Sequence, residues 1–129
     1  MKKIIDLIAD AGSGKDEKLL NYVRKNYLTK NYMTNLCFIN GQEDEQGNHI
    51  QMSAEELRKV VFEVNDKNTL YFLKGFWFAI DRESYLKLME DMCENEIQVF
   101  KTDQIKEHIT SDEEWINKYC ILLNIGDVS

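Results

Sequence analysis

The chain has 129 residues, enough for one domain with a substantial core, and its net charge of −7 works against nucleic-acid binding by the molecule as a whole. Its three cysteines, Cys37, Cys93 and Cys120, stand far apart in apolar contexts, which excludes a disulfide framework and a zinc site and points to reduced thiols in the cytoplasm. No apolar run reaches the length of a membrane span, and the opening Met1–Asp10 carries acids inside its apolar segment, unlike a signal peptide.

Ile4, Leu7, Ile8 and Ala11 fall at i, i+3, i+4 and i+7, with Lys2, Lys3, Asp6 and Asp10 opposite, and this spacing predicts a short helix. Gly12-Ser13-Gly14 stops it. A second helix begins near Asp16, turns Leu19, Leu20, Val23 and Tyr27 inward and ends around Asn31, so the pair reads as a helical hairpin. Leu36–Ile39 reads as a strand, with His49–Met52 as its partner across a polar loop. Ser53-Ala54-Glu55-Glu56 has the capping-box pattern of a helix whose inner face is Leu57, Val60, Val61 and Val64. Val60, Phe62 and Val64 also alternate, so a strand over 60–64 stays open.

Thr69–Asp81 is the most apolar stretch of the chain and calls for interior strand, with Lys74-Gly75 read as a hairpin turn between Leu70–Leu73 and Phe76–Ile80, or else as a bulge. Asp81 is placed to cap a helix carrying Tyr85, Leu88, Met89 and Met92 inward. Glu96–Lys101 reads as a strand, and Thr102-Asp103-Gln104 starts a short helical stretch. Ser111-Asp112-Glu113-Glu114 is a second capping box, opening a last helix over Trp115–Leu123 that Gly126 ends. These elements predict a single α+β domain: a mainly antiparallel sheet of about four to five strands, an N-terminal helical hairpin and a C-terminal helix.

Ala9-Asp10-Ala11-Gly12-Ser13-Gly14-Lys15-Asp16 resembles a phosphate-binding P-loop, in which backbone amides cradle phosphates and the lysine reaches the terminal one. Ala9 stands where glycine is usual, and Asp16 where a hydroxyl should meet magnesium. The motif also needs a buried strand before it and α/β repeats after it, whereas Lys2–Ala11 has helical spacing, so the segment reads as a helix–helix connection. The histidines, His49 and His108, have no spacing to a nucleophile or metal partner and read as surface residues. Cys93 falls on an inward helix face, and Ser13 has no identifiable partner. No catalytic residue, metal ligand or cofactor is assigned.

Charge is the remaining signal. Residues 1–33 carry a balance of +3 and residues 34–129 one of −10, a basic hairpin on an acidic body. An acidic field of this size steers association with a basic protein surface. The expected contacts are Glu43, Asp44 and Glu45 on the polar loop and Asp112, Glu113 and Glu114 before the last helix. The sequence reading is thus a non-enzymatic acidic module that neutralises a basic, nucleic-acid-handling protein, in the manner of an immunity or anti-defence protein. Two alternatives are nucleic-acid binding by the basic helices and nucleotide binding by the Gly12–Lys15 turn.

Overall fold

The computed structural model describes residues 1–28, 35–40, 42–43, 46, 49–50, 53–64, 69–74 and 82–129. Its main strands are β1 (Ile4–Ile8), β2 (Asn35–Asn40), β5 (Thr69–Lys74), β6 (Val99–Asp103) and β7 (Cys120–Leu123). They form one sheet in the order β2-β5-β6-β1-β7, and each pairing within it is parallel. Two short strands, β3 (Gln42–Glu43) and β4 (His49–Ile50), make a separate antiparallel pair. The helices are α1 (Lys15–Asn26), α2 (Ala54–Val64), α3 (Arg82–Glu94) and α4 (Glu113–Tyr119).

Chain direction explains how the helices divide. From β1 the chain crosses two strands to β2, whereas every later crossover, β2 to β5, β5 to β6 and β6 to β7, runs back the other way. Crossovers of one hand therefore put α1 on one face and α2, α3 and α4 on the other. The buried side chains divide accordingly. Ile5, Leu7, Leu70, Phe72 and Phe100 pack with Leu19 and Val23 of α1. Ile4, Tyr71, Leu73 and Val99 pack with Leu57, Val61, Leu88, Met92 and Ile116 of the other three helices. The 3₁₀ turn Ile125–Val128 adds cover on the α1 side.

The architecture is α/β with a parallel sheet, which overturns the predicted mainly antiparallel sheet with its N-terminal helical hairpin. The misreading starts at Ile4–Ile8. A parallel strand covered on both faces carries no alternating pattern. Asp6 interrupts its apolar run as a helix's polar face would, yet Asp6 is 0 % exposed. Its buried cation partner lies far away in sequence, so the spacing imitated a helix. Leu36–Ile39 is strand as expected, but it pairs with Thr69–Lys74 in parallel, while His49–Ile50 pairs with Gln42–Glu43. Cys120–Leu123, read as the end of the last helix, is an edge strand beside β1. The helix after Ser53 forms, with Ser53 Oγ accepting from the Glu56 amide at 3.1 Å and Leu57 and Val61 buried, but Val60, expected on its inner face, is exposed. The predicted turn at Lys74-Gly75 and strand over Phe76–Ile80 lie outside the described residues beyond Lys74. Among the described residues, no helix is long and apolar enough to cross a membrane.

Candidate phosphate-binding site

Open parallel sheets bind ligands beyond the carboxyl ends of their strands, where neighbouring strands send their connections in opposite directions. That point here lies between β1 and β6, since β1 leads to one side of the sheet and β6 to the other. The segment leaving β1 there is Ala9–Gly14, and α1 starts at Lys15. The strand, glycine turn and helix that a P-loop requires are thus present, and the expected helix–helix connection is not.

The loop is shaped locally. Gly12 and Gly14 have φ of +79° and +73°, a left-handed conformation that side chains disfavour. The Ser13 amide donates to the Asp10 carbonyl at 3.2 Å, closing the turn, and the Ala9 amide donates to the Asp103 carbonyl at 3.1 Å, tying the loop to β6. Among the described residues, nothing lies within 4 Å of where a Cβ would stand on either glycine. Ser13 Oγ is buried and has no hydrogen-bond partner among the described residues.

Gly14 is the N-cap of α1 and brings no side-chain bond to the helix, leaving the first-turn amides without side-chain caps from this position. Helices α2 and α4 differ, being capped by Ser53 and Asp112. Lys15 is the first residue of α1, and Asp16 and Glu17 follow. Those two acids oppose an anion, but Asp16 is engaged: its Oδ1 accepts from Thr102 Oγ1 at 2.6 Å. Thr102 lies in β6, so this bond ties the start of α1 to the neighbouring strand.

On the opposite face, beneath the same strand ends, lies a charged cluster. Lys101 Nζ is 2.5 Å from Asp103 Oδ2 and 3.2 Å from Asp6 Oδ2, and the three side chains are 8, 11 and 0 % exposed. The Asp6 contact is a charge contact without hydrogen-bond geometry, and both Asp6 oxygens lack a hydrogen-bond partner among the described residues. Burial pushes the Asp6 carboxyl well above its usual range, more strongly than the Lys101 charge pulls it down. Burial by itself would lower Lys101, but the carboxyls of Asp6 and Asp103 more than offset it and hold the amine protonated. The cluster fixes the end of β6 against β1 and so sets the floor of the loop.

Of the acids singled out from the sequence, Asp112, Glu113 and Glu114 lie at the start of α4. Glu43 lies in β3, with its side chain outside the described residues, and Asp44 and Glu45 are outside them entirely. Asp112 caps α4, its Oδ1 accepting from the amides of Glu114 at 3.1 Å and Trp115 at 3.2 Å. Glu113 pairs with Lys106 at 2.7 Å, both side chains being exposed, and Glu114 is exposed. Asp6, Lys101, Thr102 and Asp103 were missed by sequence reasoning. The available signal was a lone charge inside each of two apolar runs, Ile4–Ile8 and Ile97–Phe100 with its continuation.

Cys93 and Cys120 are buried free thiols, which burial raises to about 11 and about 12, so neither is a poised nucleophile. Among the described residues no group of three or more metal-binding side chains occurs. No protein-family model matches the chain, and no curated protein matches its sequence.

Proposed function

We propose that the protein binds the phosphates of a nucleotide in the loop Ala9–Gly14, with Lys15 as the cationic contact. The observation that carries this reading is the position of a strand–glycine-turn–helix unit at the switch point of a parallel sheet. The backbone amides of the first turn of α1 and of the glycines of the turn supply the donors, the Ser13 amide being held by Asp10, and the helix dipole adds to the Lys15 charge. Asp16 and Thr102 are the side chains at this end of the crevice suited to a magnesium ion carried by the nucleotide, since magnesium takes one or two protein oxygens beside phosphates and water.

The test is the melting temperature with ATP or GTP and magnesium. A ligand that binds only the folded state at about a hundred times its dissociation constant stabilises by roughly 2.7 kcal/mol. Wild type gains stability with at least one of these nucleotides, and Lys15→Met loses most of the gain while its own melting temperature stays near wild type. Unchanged melting with both nucleotides contradicts the reading.

A second reading keeps the acidic surface as the site of a basic protein partner. Glu113 and Glu114 are exposed in the first turn of α4, where they are open to such a partner. Reversing Glu113 and Glu114 to lysine is expected to weaken capture of a basic partner from the host, and unchanged capture removes these contacts. Direct nucleic-acid binding by the basic residues of α1 gains no comparable observation.

A further inference from the structure

Strand β7 ends the sheet: it pairs with β1 in parallel on one side, and among the described residues no strand lies beyond it. Its outer row of backbone N–H and C=O groups is open to a further strand, a feature that folded proteins ordinarily blunt with charge, proline or a bulge. β7 reads Cys120-Ile121-Leu122-Leu123, with neither charge nor proline, and its register with β1 is unbroken. Five large apolar side chains are exposed among the described residues, and two of them, Ile121 at 46 % and Leu122 at 36 %, are neighbours in this strand. The register sets Ile121 beside Ile5, on the α1 side, and Leu122 beside Asp6, on the other, so the edge is apolar on both faces of the sheet.

We propose that β7 is a dimer interface, two copies of the chain pairing antiparallel through this edge so that their sheets continue into each other. Charge selects a second copy and sets the direction. The strand is flanked by exposed charges of opposite sign, Lys118 in the last turn of α4 before it and Asp127 in the 3₁₀ turn after it. Antiparallel pairing sets Lys118 of each copy toward Asp127 of the other, whereas parallel pairing sets like charges together. A two-fold axis perpendicular to the sheet keeps α1 on the same side in both copies. Opposed residues then share a face, so Ile121 meets Ile121 or Leu123 of the second copy, and Leu122 meets Cys120 or Leu122. A four-residue strand makes a small interface and each copy carries a charge of −7, so the dimer is weak, with a dissociation constant on the order of micromolar. The interface is independent of the nucleotide reading and stands or falls apart from it.

The experiment is sedimentation velocity of the intact chain, without nucleotide, from about 1 to about 300 μM. Wild type passes from monomer to dimer over this range, and hydrogen exchange of the β7 amides slows as the dimer fills. Ile121→Lys and Leu122→Lys, both at exposed positions, put a charge on the edge and each weaken the dimer roughly tenfold or more, while the melting temperature of the monomer stays near wild type. Lys118→Glu weakens it roughly fivefold, since two symmetry-related exposed pairs are lost, and Lys59→Glu, the same charge change at an exposed position of α2, does not. Where a strand variant fails to fold, Lys118→Glu against Lys59→Glu carries the test. A chain that stays monomeric throughout overturns the proposal. So do a dimer whose protected amides lie away from β7, folded strand variants of unchanged affinity, and equal effects of Lys118→Glu and Lys59→Glu.

Discussion

Replacing Lys101 by methionine roughly keeps the length of the side chain and removes a charge that Asp6 and Asp103 both face. The two carboxyls are 0 and 11 % exposed, so water cannot take over from the amine. Removing one partner of a buried ion pair costs about 3–5 kcal/mol, against roughly 5–15 kcal/mol for the whole fold. For a domain of this length each kcal/mol lowers the melting temperature by roughly 3–5 °C, which puts Lys101→Met about 10–20 °C below wild type at neutral pH. The folded-state amine is raised above its ordinary value, so its contribution is complete throughout the neutral range and is lost only in strong alkali. Burial already holds the Asp6 carboxyl well above its usual range, and without the opposing Lys101 charge it rises further, so the deficit shrinks as falling pH neutralises Asp6. Urea unfolding at several pH values, followed by far-UV circular dichroism, measures this. A Lys101→Met variant within about 0.5 kcal/mol of wild type, or a deficit that does not change with pH, refutes the buried cluster.

Asp6→Asn probes the same cluster from the other side. The folded-state carboxyl is raised, so the stability it confers is complete below its unfolded value near 3.9 and is lost as pH rises through the folded one. Wild type should lose stability across that window and Asp6→Asn should not, which urea unfolding series resolve. Phe100→Ala removes a fully buried ring that meets Tyr27 edge-on at 4.9 Å, and should cost about 3–5 kcal/mol with α1 loosened first in hydrogen exchange. Asp112→Ala leaves two amides of α4 uncapped and should cost about 1 kcal/mol in thermal unfolding. Cys93 and Cys120 should resist iodoacetamide at pH 8 until the chain is unfolded, which peptide mass spectrometry reads directly.

How legible the protein was in its sequence depended on whether the relevant interaction was local. Capping chemistry and helical spacing are local, and Ser53 with α2, and Tyr85, Leu88, Met89 and Met92 in α3, are found where the residues predict them. The second capping box was off by one residue, Asp112 rather than Ser111 doing the capping, because both types suit the position. Strand direction is not local. Parallel strands covered on both faces have no alternation to read, and Asp6 joins Lys101 only after the sheet has formed. That single acid turned β1 into an apparent helix, and with β1 misread the glycine turn lost the strand it needs. The acidic residues chosen for their charge, Asp112 and Glu113, prove to be a cap and an exposed ion pair. Charge composition alone does not separate such structural uses from a binding surface.

The most direct measurement is a ¹H–¹⁵N titration of the intact chain with magnesium and ATP, then GTP, read at the amides of Gly12, Ser13, Gly14 and Lys15. If phosphates bind in this loop, those four amides move first and saturate together, and Lys15→Met weakens the response while the rest of the spectrum stays folded. If they stay still while the fold is intact, or if the shifts gather on another surface, the turn after β1 does not hold phosphate and the central claim is wrong.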